Sequence, residues 1–201
     1  MVKQSTLDGK KDYKVVTGLN ISEACDLAYK ILPDLQALIY EYEGSPENIE
    51  LVGSIRRKKQ IVNDVDFVCS IDKDKCWNEL RKLITDVHGA IILRGANEQI
   101  ASVLEIRDDI YIQVDFFRAR SFNFGINKLI RTGSKEHNVW LATKAIKKGY
   151  RLSYSKGLMK DGVVIAGKTE ESVFTTLGLS VAKPEDRELV NGIPLWLTEV
   201  I

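Results

Sequence analysis

Residues 49–71 read IELVGSIRRKKQIVNDVDFVCSI. Ile49-Glu50-Leu51-Val52 reads as a short strand and runs straight into Gly53-Ser54. The basic stretch that follows, Ile55 to Ile61, has room for one or two helical turns. From Val65 to Ile71 the chain alternates, with Val65, Phe67, Cys69 and Ile71 on one face and Asp64, Asp66 and Ser70 on the other. That pattern makes a half-buried strand and sets two carboxylates, two residues apart, on its polar face.

A third carboxylate stands in a similar place further on. In Ile112-Gln113-Val114-Asp115-Phe116, the apolar Ile112, Val114 and Phe116 face one way while Gln113 and Asp115 face the other. If the two strands are neighbours, Asp64, Asp66 and Asp115 meet on one patch. Like charges that close repel one another, and burial would raise their pKa values. A divalent cation resolves the conflict. A donor set of oxygens alone, without histidine or cysteine, points to Mg²⁺ or Mn²⁺ rather than zinc. Two such ions would suit a phosphoryl displacement. Gly53-Ser54 fits the same chemistry, because glycine lets backbone approach a ligand and serine offers a hydroxyl and an amide to phosphate. Arg57 adds a charge-assisted, bidentate-capable donor. Acids on the wet face of a sheet, beside an unrelated Gly-Ser, are the plain alternative. The joint occurrence of Gly-Ser, an arginine pair, the two spaced aspartates and a later strand aspartate is much rarer, and nucleotidyl transfer is the reading it favours.

Composition bounds the rest. The 201 residues suit one domain or two subdomains sharing a core. With 44% hydrophobic and 28% charged residues the chain is too apolar for disorder. No apolar run approaches the roughly 20 residues of a spanning helix. The opening MVKQSTLDGKKDY has no apolar core, which excludes a secretory signal. Cys25, Cys69 and Cys76 form no CxxC pair and read as reduced, buried thiols. An intracellular protein is expected, with cytoplasm, nucleus and virion not distinguished.

The net charge of +1 conceals a strong asymmetry. Residues 116–160 hold 11 basic side chains and one acid, Glu136, whereas residues 1–55 and 161–201 are each net −4. A cationic block of that length is the electrostatic footprint of a phosphate backbone.

Outward from the deciding stretch, helical spacing spans Ile21 to Tyr42, started by Ser22-Glu23 and divided by Pro33 into two helices. Residues 1–20 are polar and partly loose. An amphipathic helix is expected over 75–87 and strands over 90–93, 100–106 and 110–117. Helices are expected over 122–131 and 134–148, strands at 150–154 and 157–165 with a Lys160-Asp161-Gly162 hairpin turn, and a helix over 169–177. The fold class is therefore α+β, a mixed sheet flanked by helices (residues 1–120) with a small C-terminal α+β subdomain (residues 121–201).

The segment GSIRRKKQIVNDVDFV resembles the signature of the nucleotidyltransferase superfamily in its family X form, the DNA polymerase beta type. RTGSKEHNVWLATKAIKKGYRL, SYSKGL, TEESVFTTLGL and AKPEDRE continue the resemblance, in order, over about residues 45–190. It implies a nucleotidyltransferase palm in the first part and a nucleotide- and template-binding subdomain in the second. Asp64 and Asp66 would ligate two Mg²⁺ ions, for which Mn²⁺ could substitute. Asp115 would ligate the catalytic ion and help take the proton of the primer 3′-hydroxyl. Gly53, Ser54, Arg57 and the amide of Asn63 would hold the triphosphate of the incoming nucleotide. Gly133 and Ser134 would lie under its sugar, and Asn138 would bond the minor-groove edge of its base.

The implied activity is DNA-directed DNA synthesis at short gaps in DNA repair, by a monomer, on gapped or primer-template DNA with dNTP or rNTP. Arg131, Lys135, His137, Lys144, Lys147, Lys148 and Arg151 would face the DNA. The alternatives are a small nucleotidyltransferase acting on RNA ends, a protein or a small molecule, and a non-catalytic DNA-binding module. Four positions depart from the family pattern. Ile130 and Arg131 stand where an aromatic pair often excludes ribonucleotides, Gln113 replaces an arginine before the third aspartate, and Ala142 replaces a template-contacting arginine. Relaxed sugar selectivity and modest fidelity follow as expectations. No N-terminal lyase domain, DNA-clamping helical hairpin or phosphoesterase extension is expected.

Overall fold

The computed structural model describes residues 3–5, 13–190 and 193–194, with side chains over 14–45 and 47–188. The reading of residues 1–20 as partly loose is corrected where they are described, since 3–5 and 13–15 pair in the main sheet and 19–20 pair with 61–62, and it lies outside the described residues at 1–2 and 6–12. In chain order the elements are β1 (Lys3–Ser5), β2 (Tyr13–Val15), β3 (Leu19–Asn20), α1 (Ile21–Glu43), β4 (Ile49–Leu51), α2 (Gly53–Arg56), β5 (Ile61–Val62), β6 (Asp64–Ser70) and α3 (Asp74–Lys82). They continue with β7 (Ile91–Gly95), β8 (Gln99–Arg107), β9 (Ile110–Ala119), α4 (Phe124–Thr132), α5 (Lys135–Lys147), β10 (Arg151–Ser153), β11 (Gly157–Lys160), β12 (Val163–Ala166), α6 (Glu170–Thr176), β13 (Leu189–Val190) and β14 (Ile193–Pro194). No helix among the described residues is long and apolar enough to cross a membrane.

The first part is a seven-stranded mixed sheet centred on β9. Strand β9 runs parallel to β6 and β2 and antiparallel to β8, while β4 lies antiparallel to β6. Alternation sets the faces. Val65, Phe67 and Cys69 of β6 and Ile112, Val114 and Phe116 of β9 are all fully buried in the same core as α1 and α3. Phe67 and Phe116 are register partners, and their rings stack at 5.4 Å between centroids. A slip of one residue would turn those rings to water and the aspartates into the core, so burial fixes the register.

Helix α1 is one continuous helix, not the two expected, and Pro33 sits inside it. Pro33 lies on the exposed side, where water can satisfy the carbonyl it leaves unbonded. The buried stripe Ala24, Leu27, Ala28, Ile31, Leu35 and Ile39 runs past it unbroken. The true N-cap is Asn20, whose side chain accepts from the Ser22 amide at 2.8 Å.

A second hydrophobic cluster holds Ile126, Leu129, Leu141, Ala145, Leu158, Val173, Phe174 and Leu177, from α4, α5, α6 and the three-stranded sheet β10–β11–β12. Asp161 and Gly162 make the β11–β12 turn with positive φ at both, as the hairpin signal requires. A third, small cluster of Val52, Val68, Phe117 and Ala119, with Phe124 packed against it, joins the two parts.

Candidate active site

The polar face of β6 and β9 carries the site. Asp66 and Asp115 are direct register partners on these parallel strands, one residue from the stacked phenylalanines. Asp64 stands two residues before Asp66, opposite Gln113. The same alternation that buries the rings therefore presents all three carboxylates on one patch. Among the described residues no three His, Cys, Asp or Glu side chains close around a single ion. The three carboxylates share one patch, as the sequence predicts, without closing around a single point.

Electrostatics matches that placement. Burial, then the charges of Asp64 and Asp115, push the Asp66 carboxyl up to about 8. Burial also raises Asp64, against the pull of Arg57. Asp115 is raised by burial and by Asp64, while a hydrogen bond from Gln113 acts the other way. Gln113 Nε2 donates to Asp115 Oδ2 at 2.9 Å, so the glutamine still supports the carboxylate where the arginine is missing. The other oxygen, Asp115 Oδ1, is buried without a partner. A buried carboxylate oxygen with no donor, beside two more carboxylates of raised pKa, fits a hard divalent cation.

The Gly-Ser turn closes over this patch. Gly53 has φ +64, and a Cβ there would stand 2.1 Å from Asp66 Oδ2. The position therefore needs glycine twice, for its backbone and for the space the aspartate occupies. Ser54 Oγ is buried with no hydrogen-bond partner, a polar group held ready beside the acids. Asn63, just before the strand, is exposed.

The second motif packs onto the first. Arg57 Nη1 donates to the carbonyl of Thr132. A Cβ on Gly133 would lie 3.1 Å from the same guanidinium, so Arg57 rests against the glycine. Ser134 is buried and caps α5, its hydroxyl accepting from the His137 amide at 3.3 Å. Asn138 donates from Nδ2 to the Ile130 carbonyl at 2.7 Å and leaves Oδ1 without a partner.

The expected DNA face divides. Lys135, Lys147, Lys148 and Arg151 are exposed, and Lys144 is half-buried with its ammonium 5.2 Å from the Trp140 ring centre. His137 is a correction. Its ring is fully buried between Trp140 and Phe174, which face it at 6.2 and 6.1 Å. Burial and the charge of Arg187 hold its pKa down to about 4, so it is neutral and does not present a cation to DNA. Arg131 is also drawn inward rather than offered to solvent. Its guanidinium lies 3.7 Å over the Phe117 ring, and its charge acts on Asp66 and Asp115.

The sequence missed a set of acids that bind the basic run after Gly53-Ser54. Glu170 takes Arg56 in a two-point contact at 2.9 and 2.5 Å and Arg187 at 2.7 Å, all three largely buried. Glu188 pairs with Arg57 at 3.1 Å and Lys59 at 2.9 Å, and Glu185 with Lys58 at 2.9 Å. The one available signal was the matching of four consecutive bases with a cluster of late acids, TEES and PEDRE.

Comparison with known proteins bears on the fold and the relatives of the chain. Residues 128–188 match the DNA polymerase beta thumb family. A Leishmania infantum polymerase beta in a ternary primer-template complex is similar in structure with a TM-score of 0.68 and 21% identity, covering 86% of this chain and 77% of the other. The fold is that of this polymerase beta. Among curated proteins, DNA polymerase IV of Saccharomyces cerevisiae is 32% identical over 87 residues, 43% of this chain and 15% of its own length. Repair DNA polymerase X of African swine fever virus (isolate Warthog/Namibia/Wart80/1980) is 28% identical over 168 residues, 79% of this chain and 95% of its own. Together these findings support a family X DNA polymerase.

Proposed function

We propose that the chain is a DNA-directed DNA polymerase that fills short gaps in DNA repair by nucleotidyl transfer. The observation that carries this reading is the register of Asp66 with Asp115 beside the Gly53-Ser54 turn. Residues 1–120 act as the palm and residues 121–201 as the nucleotide- and template-binding subdomain.

The reaction is in-line attack of a primer 3′-hydroxyl on the α-phosphate of a nucleoside triphosphate, with pyrophosphate leaving. Mg²⁺, or Mn²⁺ in its place, would be held by Asp64, Asp66 and Asp115 and would supply positive charge to the phosphate oxygens as negative charge builds there. The unpaired Asp115 Oδ1 faces this patch and, in a group whose burial favours the protonated form, is suited to receive the 3′-hydroxyl proton. Ser54 Oγ and the Arg57 guanidinium bind the phosphates. Gly133 keeps backbone close to the sugar, and Asn138 meets the minor-groove edge of the base. Catalysis is mainly positioning and electrostatics, as expected for phosphoryl chemistry. With no aromatic side chain at Ile130 or Arg131, ribonucleotides are admitted more readily, and with Ala142 in place of a template-contacting arginine, fidelity is modest.

The exposed cations Lys135, Lys147, Lys148 and Arg151 favour DNA over a small acceptor, because a small molecule needs no cationic face of that extent. We expect a monomer working inside a cell or virion. The deciding experiment is extension of a primer across a one-nucleotide gap with each dNTP and rNTP. Template-matched addition supports the reading, while transfer only to RNA ends or to small acceptors overturns it.

A further inference from the structure

Resting on the nucleotide reading above, we infer that Glu188 is an internal stand-in for the nucleotide triphosphate, occupying its cations until a nucleotide displaces it. The carboxylate lies 3.1 Å from Arg57 Nε and 2.9 Å from Lys59 Nζ. These two bases follow directly from the Gly53-Ser54 turn, and Arg57 is the guanidinium assigned to the phosphates. Arg57 is thereby satisfied on both sides, by Glu188 and by the Thr132 carbonyl. Nε and one Nη1 hydrogen are taken, and the Glu188 charge beside the guanidinium opposes a phosphate on the donors that remain.

The contact is built to exchange. Arg57 and Glu188 remain 16% and 27% exposed, unlike the neighbouring Glu170–Arg187 pair at 5% and 1%. A partly hydrated ion pair is worth little, and a highly charged triphosphate can replace it. The buried pair, by contrast, is costly to break and holds the subdomain in place. Arg56, Arg57, Lys58 and Lys59 thus divide their work. Arg56 is the anchor, through two bonds to the buried Glu170 carboxylate, while Arg57 and Lys59 hold the more exposed and replaceable Glu188. Because Glu188 follows directly on the anchored Arg187, nucleotide entry would release the Glu188 carboxylate without loosening the anchor.

The consequence is a nucleotide affinity set partly by competition within the chain. The test is calorimetric titration of the full chain with Mg²⁺ and an α,β-methylene dATP analogue, comparing wild type, Glu188→Gln, Glu188→Asp and Glu185→Gln. Glu185 pairs with the exposed Lys58 and serves as the control for a general loss of negative charge. We expect Glu188→Gln to bind roughly two- to fivefold tighter, the range of a partly exposed ion pair. Glu188→Asp, which keeps the charge and loses the reach, shifts the same way by less, and Glu185→Gln is unchanged. Equal binding by wild type and Glu188→Gln, or an equal gain in Glu185→Gln, overturns the inference while leaving the nucleotide site standing. Absence of binding by every form, together with absence of incorporation, overturns both.

Discussion

A Cβ on Gly53 would stand 2.1 Å from Asp66 Oδ2, so the turn and the catalytic strand fit together only because residue 53 has no side chain. Gly53→Ala must therefore strain the backbone at φ +64 and push the Asp66 carboxylate aside. We expect primer extension to fall by about a hundredfold or more, the scale on which a misplacement of ~1 Å acts in a positioned site. Stability should fall by about 1–2 kcal/mol. Steady-state extension and thermal melts separate the two effects. An alanine variant with wild-type activity would show that Asp66 need not hold this position.

Among the described residues Gln113 is the one hydrogen-bond donor to Asp115. Gln113→Leu leaves both Asp115 oxygens without a hydrogen bond and free to change rotamer. Activity should drop about tenfold with little change in nucleotide KM, since a positioning contact acts on the chemical step. Gln113→Glu should be worse, because it sets a fourth acid against the other three.

His137 makes folding depend on pH. In the folded chain burial lowers its pKa to about 4, against about 6.5 when unfolded. Below the higher value the unfolded chain binds a proton that the folded chain does not. The contribution is therefore complete above pH 6.5 and is lost as pH falls through the folded value, up to about 3 kcal/mol. Urea unfolding at pH 7.5 and pH 5 reads this loss, and His137→Phe should shrink it.

Glu170 sits between Arg56 and the fully buried Arg187. Glu170→Gln leaves both guanidiniums without their counter-charge. The expected cost is about 3–5 kcal/mol, the scale for removing one partner of a buried pair. Urea unfolding measures it. A much smaller loss would mean that water reaches the arginines.

Much of this was legible from local pattern. The alternation from Asp64 to Ser70, and again around Asp115, carried both the core face and the acid face, because strand periodicity and burial act residue by residue. Pro33 misled, since whether a proline breaks a helix depends on which side faces water. His137 misled for the same reason. It stands in a basic helix, yet the 3.6-residue turn points it inward with Leu141. The Glu170–Arg56–Arg187 network and the Glu188 contact lay out of reach. Their partners are 114 and 131 residues apart for Arg56 and Arg57, and no local spacing joins them.

The central claim is that Asp64, Asp66 and Asp115 together drive metal-dependent nucleotide addition. One measurement tests it most directly: single-turnover extension of a one-nucleotide gap in Mg²⁺ by wild type and by Asp115→Ala, the variant checked for wild-type melting. The account predicts template-matched addition that chelation of Mg²⁺ abolishes and that Asp115→Ala reduces by about a thousandfold or more, in line with several kcal/mol of transition-state stabilisation. A folded Asp115→Ala chain that extends the primer at the wild-type rate would contradict it.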